Sequence, residues 1–347
     1  MNILFDINHP AHVHLFRHAI GLLNSQGHQV TVTSRDKDIT LELLDHYKIP
    51  HIKLSKAKKG LLGLGFELIW RQCRLLPLLI KRKIQMCVSV TGACSVHICK
   101  ILNIPTLVFY DTEHAKLQNS LSIPFATRFI TPDGFRGRLG KNHITYAGFH
   151  DLAYLHPNRF TPNKEVLNLL KISPNEKFII LRFVSWQAAH DVGQQGLSLE
   201  LKRAIIKTCV QYAKVFIASE SSLTDEFESY RFPIPPEYMH DALFYAQMYI
   251  GEGGSMATEA AVLGIPSIFI SSLTAGVFEE YERKYDLMYS FHPEKQQQIL
   301  ERIESLLQTQ DVKQAWEQKR QALLKEKVDV TEWMVQKILE YGKDGKK

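Results

Sequence analysis

The run Tyr249-Ile250-Gly251-Glu252-Gly253-Gly254-Ser255-Met256-Ala257-Thr258-Glu259-Ala260-Ala261-Val262-Leu263-Gly264-Ile265-Pro266 admits few folds. It reads as a buried strand, a glycine turn, a short helix, a glycine stop and the start of a second buried strand. Gly253 and Gly254 leave the backbone bare where the chain must turn sharply. Ser255 is a good N-cap, and the N–H groups behind it point unpaired toward whatever lies in front of the helix. Those free donors and the positive end of the helix dipole together suit a diphosphate. Glu259 lies about one turn further on and is expected to be exposed. Its carboxylate can accept two hydrogen bonds from the vicinal hydroxyls of a ribose. The same residues also suit a plain connection, since Gly-Gly-Ser turns precede many helices and Leu-Gly-Ile-Pro is an ordinary helix stop.

The rest of the chain repeats that rhythm. In the first half, strands at 3–7, 29–33, 86–90 and 106–110 alternate with helices at 13–25, 39–46 and 95–102. Such alternation predicts parallel sheets with helices on both faces, and ligands at the carboxyl ends of the strands. The loops after Asp6, Thr91 and Asp111 are therefore the ones to watch. A stretch rich in Gly, His, Pro and Asn near 146–162 reads as a hinge. The pattern then restarts at 178–183, with a helix at 199–212, a strand at 215–218 and a last helix at 330–341. At 347 residues the chain suits two domains of about 150 to 180 residues each. The expected division is 1–150, 151–327 and a terminal helical segment 328–347 that crosses back to the first half. The architecture is α/β, two Rossmann-like domains facing each other across a cleft.

Composition narrows the functional classes. Five cysteines, in apolar contexts and without a C-x-x-C pair, read as buried free thiols of a reducing cytosol. The first residues enter a strand directly, with no signal-peptide pattern, so a cytoplasmic location is expected. The net charge of +6 suits an anionic substrate or surface. No nucleic-acid-binding motif is visible, so no nucleic-acid partner is expected.

Gly253-Gly254-Ser255, Glu259-Ala260, Leu263-Gly264 and Pro266, followed by an apolar strand, resemble the donor-site signature of two-domain GT-B glycosyltransferases. They also resemble that of the non-hydrolysing UDP-N-acetylglucosamine 2-epimerases. The resemblance implies that Gly253, Gly254 and Ser255 meet the diphosphate and that Glu259 holds the ribose. The start Asp6-Ile7-Asn8-His9-Pro10-Ala11-His12, the turn Tyr110-Asp111-Thr112-Glu113-His114 and the loop Arg182-Phe183-Val184-Ser185-Trp186 with His190-Asp191 resemble an uncharacterised prokaryotic family grouped with GT-B enzymes. That likeness runs over almost the whole chain.

Three further groups of residues bear on chemistry. His9, His12 and His14 crowd the loop after the first strand, but their spacing is wrong for a helical zinc pair and no carboxylate follows at a ligand spacing, so no metal is expected. His12 falls where the peptidoglycan N-acetylglucosaminyltransferase has a histidine, although the glycine-rich turn of that enzyme is missing here. A neutral histidine there can take a proton from an attacking hydroxyl, with His9 beside it toward substrate. Glu113 falls where the epimerases keep a catalytic glutamate. The two other acids of their set are absent from 89–92 and 120–124, which disfavours epimerisation. Arg182 at a strand end, with His190 in its loop, suits a diphosphate leaving group, and His240 suits the uracil or sugar pocket.

The expected activity is UDP-sugar-dependent glycosyl transfer in surface-glycan synthesis, without metal or other cofactor, to a glycan or lipid-linked acceptor. The alternatives are an epimerase-like isomerase or hydrolase of UDP-N-acetylhexosamine, and a nucleotide-sugar-binding protein without catalysis. Residues 56–83 hold a long apolar stretch broken by Glu67, Arg71, Arg74 and Pro77. It cannot span a bilayer. It suits either an amphipathic segment lying on an anionic membrane or a core helix with solvated ends.

Overall fold

Short runs make the strands on which each half of the chain is built, almost wholly buried at the centre of each sheet and part-exposed toward its edges. The computed structural model describes residues 1–58, 60–113, 120–173, 176–183, 196–219 and 223–344. The chain divides into one unit formed by Met1–Arg159 with Lys327–Lys347 and a second formed by Phe160–Glu326.

The first unit carries β1 (Asn2–Ile7), β2 (Gln29–Asp36), β3 (Ile52–Lys56), β4 (Met86–Val90), β5 (Thr106–Phe109), β6 (Arg128–Pro132) and β7 (His143–Tyr146). They form a sheet in the order β3-β2-β1-β4-β5-β6-β7, with every pair parallel. Helices supply the crossovers from β1 through β5, as parallel neighbours usually need, whereas residues 133–142 between β6 and β7 hold no helix. Phe16 of the first helix, Pro10–Ser25, meets Phe5 and Phe109 edge-on, with ring centroids 5.2 and 5.9 Å apart. The last helix, Val330–Asp344, completes this core. Its Trp333 stands edge-on to Phe109 at 6.5 Å and lies 5.1 Å from the Tyr146 ring. At Gly342 any side chain would run into Met1, whose Sδ lies 2.6 Å from the Cβ position.

The helix Leu152–Leu155, expected in the second domain, belongs to the first unit. All four of its residues are buried, and Thr331 Oγ1 donates to the Ala153 carbonyl at 2.6 Å. Burial against the last helix therefore moves the division to between Arg159 and Phe160.

The second unit carries β8 (Phe178–Phe183), β9 (Lys214–Ser219), β10 (Met248–Gly251), β11 (Ser267–Ile270) and β12 (Met288–Phe291). Their order is β12-β11-β10-β8-β9, again all parallel. In each sheet the strand order reverses once, between β1 and β4 in the first and between β8 and β10 in the second. Ligands on open α/β sheets bind outside the carboxyl ends of the strands at such a reversal.

His18, on the first helix, accepts from Arg17 Nε at 3.3 Å. Burial, then the charges of Arg17 and Arg159, push its imidazole from 6.5 down to about 4. The folded value lies below the unfolded one, so the unfolded chain takes up the proton first. Stability present above pH 6.5 is lost as pH falls toward 4, and the loss levels off below that. Urea midpoints measured across this window should fall more steeply for wild type than for His18→Asn. Equal slopes would remove His18 as the cause.

Candidate functional site

The reversal in the second sheet brings Arg182, in β8, beside the glycine turn that follows β10. Gly251 pairs with Arg182, and a Cβ on Gly251 would stand 2.5 Å from the Arg182 carbonyl oxygen, so no side chain fits there. At Gly253 a Cβ would be 3.1 Å from Arg182 Cγ and 3.8 Å from Nε, so the arginine side chain lies against bare backbone. Tyr249 Oη donates to the Gly253 carbonyl at 3.0 Å and ties down the turn. Glu252, which the sequence did not single out, joins three segments. Its N–H donates to the Arg182 carbonyl at 3.1 Å and its Oε1 accepts from Leu197 N at 2.7 Å.

The helix that follows is Gly254–Val262, and its N-cap is Gly253. Ser255, expected as the cap, is instead an exposed residue inside the first turn. The backbone is already helical at Gly254, and Ala257 N donates to the Gly253 carbonyl at 3.0 Å. The amides of Gly254, Ser255 and Met256 precede that bond and have no acceptor within the helix. The helix ends in a Schellman turn at Gly264, whose φ is +75°, with Ile265 N donating to the Ala260 carbonyl at 2.9 Å.

Glu259 is buried, against the expectation of an exposed side chain. The helix Met239–Tyr245 packs beside it, and the equally buried His240 places Nε2 3.0 Å from Glu259 Oε1. Two residues expected to bind the nucleotide sugar thus form one hydrogen-bonded pair about a turn behind the glycine amides. His190 lies outside the described residues.

In the first unit, His9 is the N-cap of the first helix, where its Nδ1 accepts from Ala11 N at 3.2 Å. His12 Nδ1 accepts from Asn8 N at 3.2 Å. Burial, then His9, pushes the His12 imidazole well below its ordinary value, although Asp111 opposes the shift. A neutral ring whose Nδ1 accepts carries its proton on Nε2. In this arrangement His12 donates, which is the reverse of the expected proton acceptor. Glu113 Oε1 accepts from Arg136 N at 2.7 Å.

The arrangement of a base falls instead to His150, in the stretch expected as the hinge, paired with Asp111 of a loop expected at the sheet's carboxyl end. His150 Nδ1 lies 3.0 Å from Asp111 Oδ2, and Thr112 Oγ1 donates to Asp111 Oδ1 at 2.9 Å. Burial raises the Asp111 carboxyl, but His150 and these hydrogen bonds outweigh it and hold the group at about 2. In the neutral ring the carboxylate fixes the proton on Nδ1 and leaves the Nε2 lone pair to accept. That Nε2 is buried and finds no partner among the described residues, and the same is true of the Tyr146 hydroxyl. The two rings lie parallel, 7° apart in plane, with centroids 6.3 Å apart. Unsatisfied buried polar atoms are rare, and two together mark a place where a ligand or water belongs. Tyr146 ends β7, so reading that strand would have drawn attention to the loop carrying His150.

Beneath the β1 end, Asp6 is fully buried and accepts from Arg71 Nη2 at 2.9 and 3.2 Å and from Thr33 Oγ1 at 2.9 Å. Arg71 also donates to Asn8 Oδ1, which links the network to the loop bearing His9 and His12. Among the described residues, no three His, Cys, Asp or Glu side chains gather as a metal site would need.

Solved structures of the same architecture define the class as a GT-B-like α/β fold. A UDP-N-acetylglucosamine 2-epimerase matches at TM-score 0.69 and 13% identity, over 98% of this chain and 96% of its own. The glycosyltransferase VinC, in complex with DTDP, matches at TM-score 0.65 and 10% identity, over 99% and 100%. The family model described as "Protein of unknown function (DUF354)" matches residues 1–343, and the chain belongs to that family. A relative, the uncharacterized protein MJ0665 of Methanocaldococcus jannaschii, is 24% identical over 281 residues, which is 77% of this chain and 81% of the relative.

Proposed function

We propose that the protein is a metal-independent glycosyltransferase that uses a UDP-N-acetylhexosamine donor, in the cytoplasm, to extend a surface glycan or its lipid-linked precursor. The observation that carries this reading is the strand reversal of the second sheet, where Arg182 and a run of helix-start amides converge on bare glycine backbone. The amides of Gly254 and Ser255, with Arg182, take the diphosphate. Glu259 takes the ribose hydroxyls, and His240 holds its carboxylate in place. His190 is assigned to the departing phosphate. On the acceptor side, His150, oriented by Asp111, removes the hydroxyl proton as that oxygen bonds to the anomeric carbon. The bond from that carbon to the diphosphate breaks, and UDP leaves with the electron pair. His9, His12 and Glu113 then shape the acceptor site around it.

Incubation with UDP-N-acetylglucosamine in EDTA, with and without a saccharide acceptor, tests the reading. UDP release that needs an acceptor supports transfer. A manno epimer formed without acceptor would establish the second reading, for which Glu113 would supply one acid. Binding without turnover would reduce the protein to a sugar-nucleotide binder, and activity recovered only with added manganese would sink metal independence. Glu259→Gln keeps the shape of the buried side chain but loses the charged acceptor, so UDP affinity by calorimetry should fall at least about tenfold. Unchanged affinity would place the ribose elsewhere.

A further inference from the structure

The helix Leu61–Lys81 has two faces that disagree about solvent. Glu67, Arg71, Leu75 and Leu79, four residues apart, are buried. Leu75 and Leu79 pack with Leu4, Leu54 and Ile84, and Glu67 is clamped by Arg35 through two bonds of 2.7 Å. The opposite face is also apolar, yet it stands in water. Leu62 is 93% exposed, and Phe66, Ile69, Trp70 and Ile80 are each more than half exposed. A core helix with solvated ends would not leave this stripe open. Scattered apolar residues on a surface are ordinary, but a continuous stripe along one helix marks an interaction surface.

The charges around the stripe say what covers it. Lys56, Lys58, Arg74, Lys81, Arg82 and Lys83 are all exposed. Lys58 Nζ sits 4.6 Å from the Phe66 ring centroid. The only carboxylate between residues 56 and 83 is Glu67, and it is buried. A second copy of this chain would set cations against cations across a symmetric contact. An anionic bilayer offers both requirements at once, an acyl boundary for the stripe and negative headgroups for the rim. No helix among the described residues is long and apolar enough to cross a membrane, so this one would lie on it.

We infer that the exposed face of Leu61–Lys81 docks the protein on anionic lipid, with Phe66, Ile69 and Trp70 entering the headgroup boundary and the flanking lysines and arginines at its rim. The inference is independent of the nucleotide-sugar reading. It is tested by co-sedimentation of the full chain with vesicles of two parts phosphatidylcholine to one part phosphatidylglycerol, against phosphatidylcholine alone. Binding should need the anionic lipid and weaken with salt. Phe66→Ser with Trp70→Ser should weaken it about tenfold or more, and Lys81→Gln, Arg82→Gln and Lys83→Gln together roughly a hundredfold. Trp70 emission should shift to the blue with these vesicles, and the shift should vanish in Trp70→Phe. These side chains are exposed, and matching circular dichroism and melting curves confirm that the variants fold. No binding by wild type, or binding unchanged in both variants, overturns the inference. So does a wild-type dimer in sedimentation equilibrium that Phe66→Ser with Trp70→Ser converts to monomer, because it would assign the face to a second copy.

Discussion

Replacing His150 with asparagine is expected to lower glycosyl-transfer turnover by about a hundredfold to ten-thousandfold, the usual effect of losing a general base. UDP affinity should stay nearly unchanged, because the residue lies in the first unit and the donor is assigned to the second. Asparagine can still donate to Asp111, so the carboxylate keeps a partner and the fold is preserved. The effect is specific to Nε2, the atom that Asp111 leaves free to accept. Asp111→Asn should reduce turnover through the tautomer it no longer enforces. His12→Asn serves as the contrast, because its Nδ1 is already engaged by Asn8. Single-turnover rates with calorimetric UDP binding decide the matter. Full activity in His150→Asn would assign the base to Glu113 instead.

The largest stability effect is expected at the Asp6–Arg71 pair. Asp6 is wholly buried and Arg71 nearly so, and removing one partner of such a pair costs about 3 to 5 kcal/mol because the other charge is left buried. Asp6→Ala should therefore destabilise by about that amount in urea unfolding followed by far-ultraviolet circular dichroism. Adding Arg71→Met removes the stranded guanidinium and should recover much of the loss, since an apolar chain of similar length fills the same path. A loss in Asp6→Ala below about 1 kcal/mol would mean that water or Asn8 compensates, and that the pair does not anchor the end of β1.

Much of this fold is legible because parallel strands buried on both faces appear as plain apolar runs. The runs at β1, β4, β8 and β10 stand out in that way, and the glycine turn marks itself. Among the strands that escaped, Arg128–Pro132 and His143–Tyr146 are five and four residues long and carry Arg, His and Thr among their apolar positions. Missing the second of them cost the site as well, since Tyr146 and His150 then looked like linker. The burial of Glu259 was not legible for a different reason. Its partner His240 is 19 residues away on another helix, and only tertiary packing sets a carboxylate and an imidazole 3.0 Å apart. Ser255 illustrates a third limit, because Gly253 and Ser255 are both acceptable caps locally and the turn's contact with Arg182 selects the glycine.

The first unit is built from both ends of the chain, whereas the second is one continuous stretch. During synthesis the inner stretch is therefore complete before the outer one has all its parts. Until residues 330–344 emerge from the ribosome, Trp333 cannot cover Phe109 and Tyr146, and Thr331 cannot reach Ala153. The unit whose residues appear first is thus the last to close, and its amino-terminal strands must wait with part of their apolar surface uncovered.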